Sequence, residues 1–154
     1  HALPSQQLLG DLRPLWAEKG WALPDDSSWG LELCELLGPS LPLLEDGVEQ
    51  ATPFFKRPDL EDDGLRQLET DGARTAVAQL LQLLEAEPWD GKNTDRAKQL
   101  LGDTAQGAGV KKGVVMKSLR AALLGRLQGP DLITTWCLLA RIGEDLPRLQ
   151  RCLA

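Results

Sequence analysis

The side chains best able to hold a ligand lie in a short basic stretch in the second half of the chain. Lys111 and Lys112 precede a predicted helix, and Lys117 and Arg120, three residues apart, share one flank of it. The positive end of the helix dipole lies at the same helix beginning and also favours anions. Lysine and arginine bind RNA phosphates, and arginine can stack on unpaired bases. The residues alone leave a structural alternative open, in which Arg120 pairs with a carboxylate of the acidic first half.

Residues for catalysis or metal binding are scarce. His1 is the single histidine, so no Ser or Cys nucleophile has a histidine partner apart from that first residue. The cysteines, Cys34, Cys137 and Cys152, are odd in number and irregularly spaced, which predicts free thiols in a reducing compartment and no Cys/His metal site. Glu61–Asp63 lacks the spaced ligands and glycine turn of a calcium loop, and we expect a solvated loop there.

Charge is distributed unevenly along the chain, whose net charge is −6. Residues 1–90 carry 6 Lys/Arg and 18 Asp/Glu, whereas residues 91–154 carry 11 Lys/Arg and 5 Asp/Glu. A basic segment beside an acidic one is a hint of polyanion binding, although two solvated faces would give the same distribution.

The composition favours helices throughout. Leucine accounts for 32 of the 154 residues, against 5 valines and 2 isoleucines, and β-branched residues are the ones that favour strands. We therefore predict an all-α protein with eight or nine helices. Apolar spacing and cap residues place them over 5–19, 29–37 and 41–51, from 70 or 71 to 86, from a cap at 93 or 94 to 107, over 114–127, from 132 to 142, and over 146–153.

Two helical subdomains are predicted, over residues 1–64 and 65–154. They are separated by the acidic, loop-like stretch Lys56–Gly64, which follows a helix expected to end at Pro53. Pro14 is expected to kink the first helix or break its start. Tryptophans can offer stacking platforms for bases, but Trp16, Trp29 and Trp136 fall at core spacing and are expected to be buried.

No apolar stretch approaches the roughly 20 residues that span a bilayer, and no basic-then-apolar signal segment opens the chain. We therefore expect a cytoplasmic protein with no membrane partner.

Residues 109–132 resemble a motif of bacterial glutamyl-tRNA synthetases. In that family a basic glycine loop precedes Leu-Arg-x-Ala-Leu-x-Gly and a Pro-x-Leu segment. Here these elements are Gly109–Lys112, Leu119–Arg120, Ala122–Leu123, Gly125 and Pro130–Leu132. Glu49–Phe55 resembles the family's helix that ends in paired phenylalanines, and the helix order agrees. The similarity covers essentially the whole chain, is strongest over residues 109–153, and is greatest to cyanobacterial members.

The resemblance implies that the two subdomains pack into the α-helical cage with which these synthetases read the glutamate anticodon. The Rossmann-type catalytic half carries the family's ATP signatures, and no His-Ile-Gly-His-like or Lys-Met-Ser-Lys-like segment occurs here. The chain is therefore expected to be inactive alone and to need no cofactor, since ATP and Mg would bind the catalytic half. Its expected partners are tRNA(Glu), tRNA(Gln) and the N-terminal catalytic domain of the same chain, in a monomer.

The resemblance also assigns site residues. Arg120 matches the arginine that contacts an anticodon base, and the loop from Gln128 through Gly129 to Leu132 matches the segment around the anticodon. Family members often carry Thr or Ser where Gly129 stands. Together with the basic stretch, the predicted tRNA contacts are Lys111, Lys112, Lys117, Arg120, Gln128, Gly129 and Leu132.

The resemblance places a further contact in the first subdomain. Gly38, Pro39 and Ser40 match a loop in which glutamate-specific enzymes carry an arginine against the third anticodon base. No arginine stands in this loop, which predicts a non-discriminating enzyme that also accepts tRNA(Gln). The alternative is that another cation, such as Arg57 or Arg74, takes that role.

Two classes of function remain open from the sequence. One is tRNA anticodon recognition as part of a glutamate–tRNA ligase. The other is a helical protein-interaction domain whose basic C-terminal face binds an acidic partner. A stand-alone enzyme is disfavoured because no catalytic constellation is present.

Overall fold

The computed structural model describes residues 4–38 and 41–154. These ranges contain helices and no strand, which confirms the all-α prediction. The helices found there are α1 (Ser5–Glu18), α2 (Trp29–Leu37), α3 (Asp46–Phe55), α4 (Asp62–Leu68), α5 (Ala73–Ala86), α6 (Thr94–Ala108), α7 (Lys112–Leu124), α8 (Leu132–Arg141) and α9 (Asp145–Arg151). The chain forms two compact units, unit 1 (His1–Arg57) and unit 2 (Pro58–Ala154).

Unit 1 packs α1, α2 and α3 around an aromatic core. Trp16 and Trp29 are buried, as predicted, and both rings contact Phe55. The indole Nε1 of Trp16 donates to the carbonyl oxygen of Gly47 at 3.2 Å, which ties α1 to α3. Helix α1 runs through Pro14, whose ring lies on the exposed side. The expected break at Pro14 is therefore absent, because water can satisfy a carbonyl that has lost its partner on that side.

Helix α3 lies later in the chain than predicted. It begins at Asp46 rather than near Leu41 and continues through Pro53 to Phe55. The predicted helix would have packed Leu44 against the core with Val48 and Ala51, but Leu44 is 39% exposed and its neighbour Leu43 is 59% exposed. The preceding turn is fixed by Asp46, whose Oδ2 accepts from the backbone N–H of Leu43 at 3.1 Å.

Unit 2 is built around α7, which packs against α4, α5, α6, α8 and α9. Helix α7 is buried on one side through Val115, Ser118 and Leu119, and its last turn, from Ala121 to Leu124, is buried all round. The helix begins at Lys112 and ends at Leu124, whereas the predicted range was 114–127. It ends early because Gly125 adopts the left-handed conformation, with φ of 77°.

The segment expected to separate the subdomains belongs largely to unit 2. The division falls between Arg57 and Pro58, which lies inside the stretch Lys56–Gly64 that was predicted to contain it. Asp62, predicted to be in a loop, begins α4. This segment belongs to unit 2 because its backbone packs closely against the end of α7. The N–H of Glu61 donates to the Gly125 carbonyl at 2.7 Å, and a Cβ on Gly64 would lie 2.2 Å from that oxygen. The predicted division at 64/65 would therefore cut through a packed contact.

A second aromatic cluster lies in unit 2. Trp136 is fully buried, which confirms that prediction, and its ring lies 4.7 Å from that of Trp89. Both indole N–H groups donate to Oδ2 of Asp145, at 3.3 Å and 3.2 Å. This buried carboxylate therefore joins the α5–α6 connection to α8 and α9.

The three cysteines are free, as predicted, and all three are buried. Burial raises the pKa of Cys34 to about 11 and also raises that of Cys152, so both are protonated at neutral pH. None of the described helices is long and apolar enough to cross a membrane.

Candidate nucleic-acid interface

Helix α7 presents three of the predicted contact residues on the side away from its buried face. Lys112 and Lys117 are exposed, Arg120 is half-buried, and Lys111 occupies the N-cap position with an extended backbone. Lys112 and Arg120 are eight residues apart, which is about 12 Å along the axis of a helix. The cations therefore follow one edge of α7 and do not form a single cluster.

Arg120 makes its contact within unit 2. Its Nη1 donates to the carbonyl oxygen of Pro130 at 2.7 Å, and this bond uses one of the five guanidinium N–H donors. Burial lowers the pKa of Arg120 and the nearby Asp131 carboxylate opposes that shift, so the side chain stays charged at neutral pH. The bonded partner is a carbonyl of the following loop, rather than a carboxylate of the acidic half.

The loop at residues 126–131, between α7 and α8, is held at both ends. The backbone N–H of Leu127 donates to Oδ2 of Asp63 at 3.2 Å. Asp131 caps α8 by accepting from the backbone N–H and the hydroxyl of Thr134, at 3.0 and 2.9 Å. Between these points, Gln128 and Gly129 are exposed. The α7–α8 loop is therefore an accessible surface with an ordered backbone.

The structure brings Arg120, Gly129 and Pro130 together. A Cβ on Gly129 would lie 3.4 Å from Nη1 of Arg120 and 2.6 Å from a terminal methyl of Leu124. A serine or threonine would thus require Leu124 to move but would place its hydroxyl next to the guanidinium. Leu132, another predicted contact, is the first residue of α8 and is only 3% exposed, so it offers little surface to a ligand.

The predicted third-base contact at Gly38, Pro39 and Ser40 falls in the sequence range of unit 1. Gly38 ends α2 in unit 1, and Pro39 and Ser40 lie outside the described residues. Of the two alternative cations, Arg74 donates to the Cys152 carbonyl at 2.9 Å within unit 2.

Two arginines of α9, which the sequence analysis did not single out, bind backbone carbonyls at the end of α7. Arg148 is 1% exposed; its Nη1 donates to the Leu123 carbonyl at 2.9 Å, and its Nε donates to Glu144 at 3.0 Å. Nη2 of Arg151 donates to the Ala122 carbonyl at 3.1 Å. These bonds satisfy carbonyls at the end of α7 that no helical N–H reaches. Part of the basic excess of residues 91–154 is therefore structural.

A cleft of about 560 Å³ adjoins the α7–α8 loop. Its lining carries charges of both signs, from Glu61, Asp62, Asp63, Arg66 and Arg126, together with Gln128. Over the described ranges, no group of three His, Cys, Asp or Glu side chains is placed to hold a metal ion. Glu61–Asp63 is also not the solvated loop that was expected, because Asp62 and Asp63 begin α4 and Asp63 binds the Leu127 N–H.

Exposed lysines along a helix edge and a guanidinium beside an accessible loop are typical of a helical module that binds nucleic acid. The family comparison agrees with this class. The family model described as "Anticodon binding domain" matches residues 7–153. The chain belongs to this anticodon-binding domain family.

The curated relatives are more specific. The chain is 90% identical over its whole length to the glutamate–tRNA ligase of Parasynechococcus marenigrum, covering 32% of that protein. It is 68% identical over 99% of its length to the glutamate–tRNA ligase of a Synechococcus species, again covering 32% of the relative. The resemblance to cyanobacterial glutamyl-tRNA synthetases is thus confirmed, and the chain spans about a third of the length of these relatives.

Solved structures share the fold. The crystal structure of a glutamate tRNA ligase from Elizabethkingia meningosepticum matches with a TM-score of 0.85 and 19% identity, over 98% of this chain and 29% of that one. The glutamate-tRNA synthetase from Elizabethkingia anophelis matches with a TM-score of 0.76 and 22% identity, over 98% and 28% of the two chains. At such identities the likeness concerns the helical fold.

Proposed function

We propose that this chain recognises the tRNA anticodon as part of a glutamate–tRNA ligase, which attaches glutamate to tRNA(Glu) in the cytoplasm. The observation that carries the proposal is the Arg120 guanidinium held beside exposed Gly129 in a member of the anticodon-binding family. In this proposal, ATP and Mg²⁺ bind the catalytic part of the ligase, and this chain supplies tRNA contacts only.

In this proposal, one set of residues contacts tRNA phosphates and another contacts a base. Lys111, Lys112 and Lys117 neutralise phosphates along the edge of α7, which gives affinity without sequence information. Arg120 and the backbone around Gly129 face an unpaired base and supply the specific hydrogen bonds. The chain's net charge of −6 does not prevent this, because α7 itself carries Lys112, Lys117 and Arg120 and no Asp or Glu.

A salt titration with tRNA(Glu) tests the proposal. We expect the logarithm of the binding constant to fall linearly with the logarithm of salt concentration, and Lys117→Gln to reduce the slope by about one. Lys98→Gln on α6 is the matched control, since it removes the charge of another exposed helical lysine and should leave the slope unchanged. Binding to an acidic protein with no binding to tRNA would favour the protein-interaction alternative instead.

We also propose that the ligase accepts tRNA(Gln). The two anticodon sets share the middle base, and the third base is C for glutamate and G for glutamine. The support is the sequence at residues 38–40, where Gly38, Pro39 and Ser40 leave no arginine to select one base and exclude the other.

Charging assays with both purified tRNAs test this second proposal. We expect glutamylation of tRNA(Gln) within a thousandfold of that of tRNA(Glu), a difference below about 4 kcal/mol. A larger gap would mean that another cation, for example Arg57, discriminates between the bases. Gly38→Arg provides the complementary variant and should lower charging of tRNA(Gln) more than charging of tRNA(Glu).

A further inference from the structure

The first turn of α4 is joined to the α7–α8 loop by contacts that span a long sequence distance. Oδ2 of Asp63 accepts from the N–H of Leu127, 64 residues away, at 3.2 Å. The N–H of Glu61 donates to the Gly125 carbonyl at 2.7 Å. Gly64 has no side chain to obstruct this approach, and a Cβ there would lie 2.2 Å from the Gly125 oxygen. Three of the four residues from Glu61 to Gly64 therefore approach Gly125 and Leu127, where α7 ends and the loop begins.

The Leu127 N–H needs such a partner. It lies beyond the left-handed turn at Gly125 that ends α7, so no carbonyl of that helix is in line to accept from it. Leu127 is also partly buried, and a partly buried N–H left unpaired would favour a different loop conformation. Asp63 thus selects the direction in which the chain leaves α7 and enters Gln128 and Gly129.

The other end of the exposed part of the loop is held by Arg120, through the bond to the Pro130 carbonyl. Gln128 and Gly129 lie between the two tethered residues, Leu127 and Pro130. A loop fixed on both sides presents its exposed backbone in one arrangement, which lowers the ordering cost of binding a ligand.

We propose that Asp63 is a positioning residue for tRNA recognition: its carboxylate holds the α7–α8 loop in the conformation that places Gln128 and Gly129 beside Arg120. This inference rests on the proposed function, because it assigns tRNA to that loop. Asp63 touches the loop backbone and acts on tRNA through it.

The charge of Asp63 and its contact with the loop predict opposite effects on tRNA binding when its carboxylate is removed. A carboxylate close to bound phosphates is unfavourable, so removing its charge should by itself strengthen tRNA binding. Loss of a loop tether should weaken binding. Asp62 is the matched control, since it precedes Asp63 in the same helical turn, lines the same cleft and is exposed.

The experiment measures the affinity of the full chain for a tRNA(Glu) transcript in Asp63→Ala, Asp63→Asn and Asp62→Ala variants. We expect Asp63→Ala to weaken binding about tenfold, the effect of losing one hydrogen bond to a charged acceptor. Asp63→Asn keeps an oxygen acceptor and should restore most of the affinity. Asp62→Ala should bind as tightly as the unmodified chain or more tightly.

Amide hydrogen exchange in the free chain gives an independent readout. The Leu127 amide should exchange faster in Asp63→Ala than in Asp62→Ala, while both variants keep a melting temperature close to that of the unmodified chain. The inference is overturned if the Leu127 amide is equally protected in both variants, or if both change the affinity for tRNA alike. Failure of the unmodified chain to bind tRNA at low salt would instead refute the proposed function, and the positioning role with it.

Discussion

Units 1 and 2 are both helical and each contains an aromatic cluster, but in unit 2 charged side chains also bind backbone groups at the end of its central helix. In unit 1, the rings of Trp16, Trp21 and Trp29 all meet Phe55, at centroid distances between 5.1 and 5.5 Å. In unit 2, charged side chains of α4 and α9 bind backbone groups at the end of α7. The hydrophobic effect that buries these rings has no preferred direction, whereas hydrogen bonds to a helix end and a loop require a defined donor–acceptor geometry.

The hydrogen bonds to backbone groups in unit 2 correspond to the role proposed for that unit. The predicted base contact through Arg120 lies in unit 2, where Arg148 and Asp63 hold the helix end and the loop that present it. A recognition surface made of a loop needs such directional support, because backbone that is not in a helix has few bonds of its own.

The largest effect is expected in the aromatic core of unit 1. Trp29→Ala should lower the free energy of unfolding by about 4 kcal/mol, because it removes a fully buried ring and leaves a cavity. Trp21→Ala is the control, since its ring stacks on the same Phe55 at an interplanar angle of 7° but is only half-buried. Urea unfolding followed by circular dichroism measures both. Equal losses of unfolding free energy for the two variants would contradict the expectation that the fully buried ring contributes more than the half-buried one.

A somewhat smaller effect is expected from the buried arginine of unit 2. Arg148→Ala should lower the free energy of unfolding by about 3 kcal/mol, because it removes a buried side chain that donates to the Leu123 carbonyl and pairs with Glu144. Arg66→Ala removes an exposed arginine of α4 and should have an effect below about 0.5 kcal/mol. Should the two variants unfold at the same urea concentration, the support of α7 by α9 is not important for stability.

The smallest expected change in stability accompanies a loss of binding. Arg120→Ala should weaken tRNA binding by about 1–3 kcal/mol. It should cost no more than about 1 kcal/mol of stability, because the bond to the Pro130 carbonyl is half-buried and tethers only a loop. Affinity by titration and stability by urea unfolding are measured on the same preparation. A variant that unfolds while its folded fraction binds normally would make Arg120 a structural residue.

The sequence was sufficient wherever the signal is local. The abundance of leucine and the helical period placed most helices, and Asn93 caps α6 as expected, with its side-chain oxygen accepting from the N–H groups of Asp95 and Arg96. The basic edge of α7 and the burial of three tryptophans followed from the same period. The family motif was equally readable, since it lies within one short stretch of the chain.

Local patterns failed where burial depends on distant residues. Leu44 has the helical spacing to Val48 and Ala51 of a core position but is exposed, and Asp62–Leu68 is too short and acidic to be distinguished from a loop. Leu132 appeared in the predicted contact set because a motif gives position along the chain and not depth below the surface.

The sequence by itself determined a helical protein with the motif of a tRNA-binding family and a basic edge on one of its helices. Only the tertiary structure decided that Arg120 binds the Pro130 carbonyl, that Arg148 caps α7, and that Asp63 binds the Leu127 N–H. The residues of the last two pairs are 25 and 64 positions apart in the chain. Helical periodicity relates residues three or four positions apart, so contacts over such separations exist only once the helices have packed.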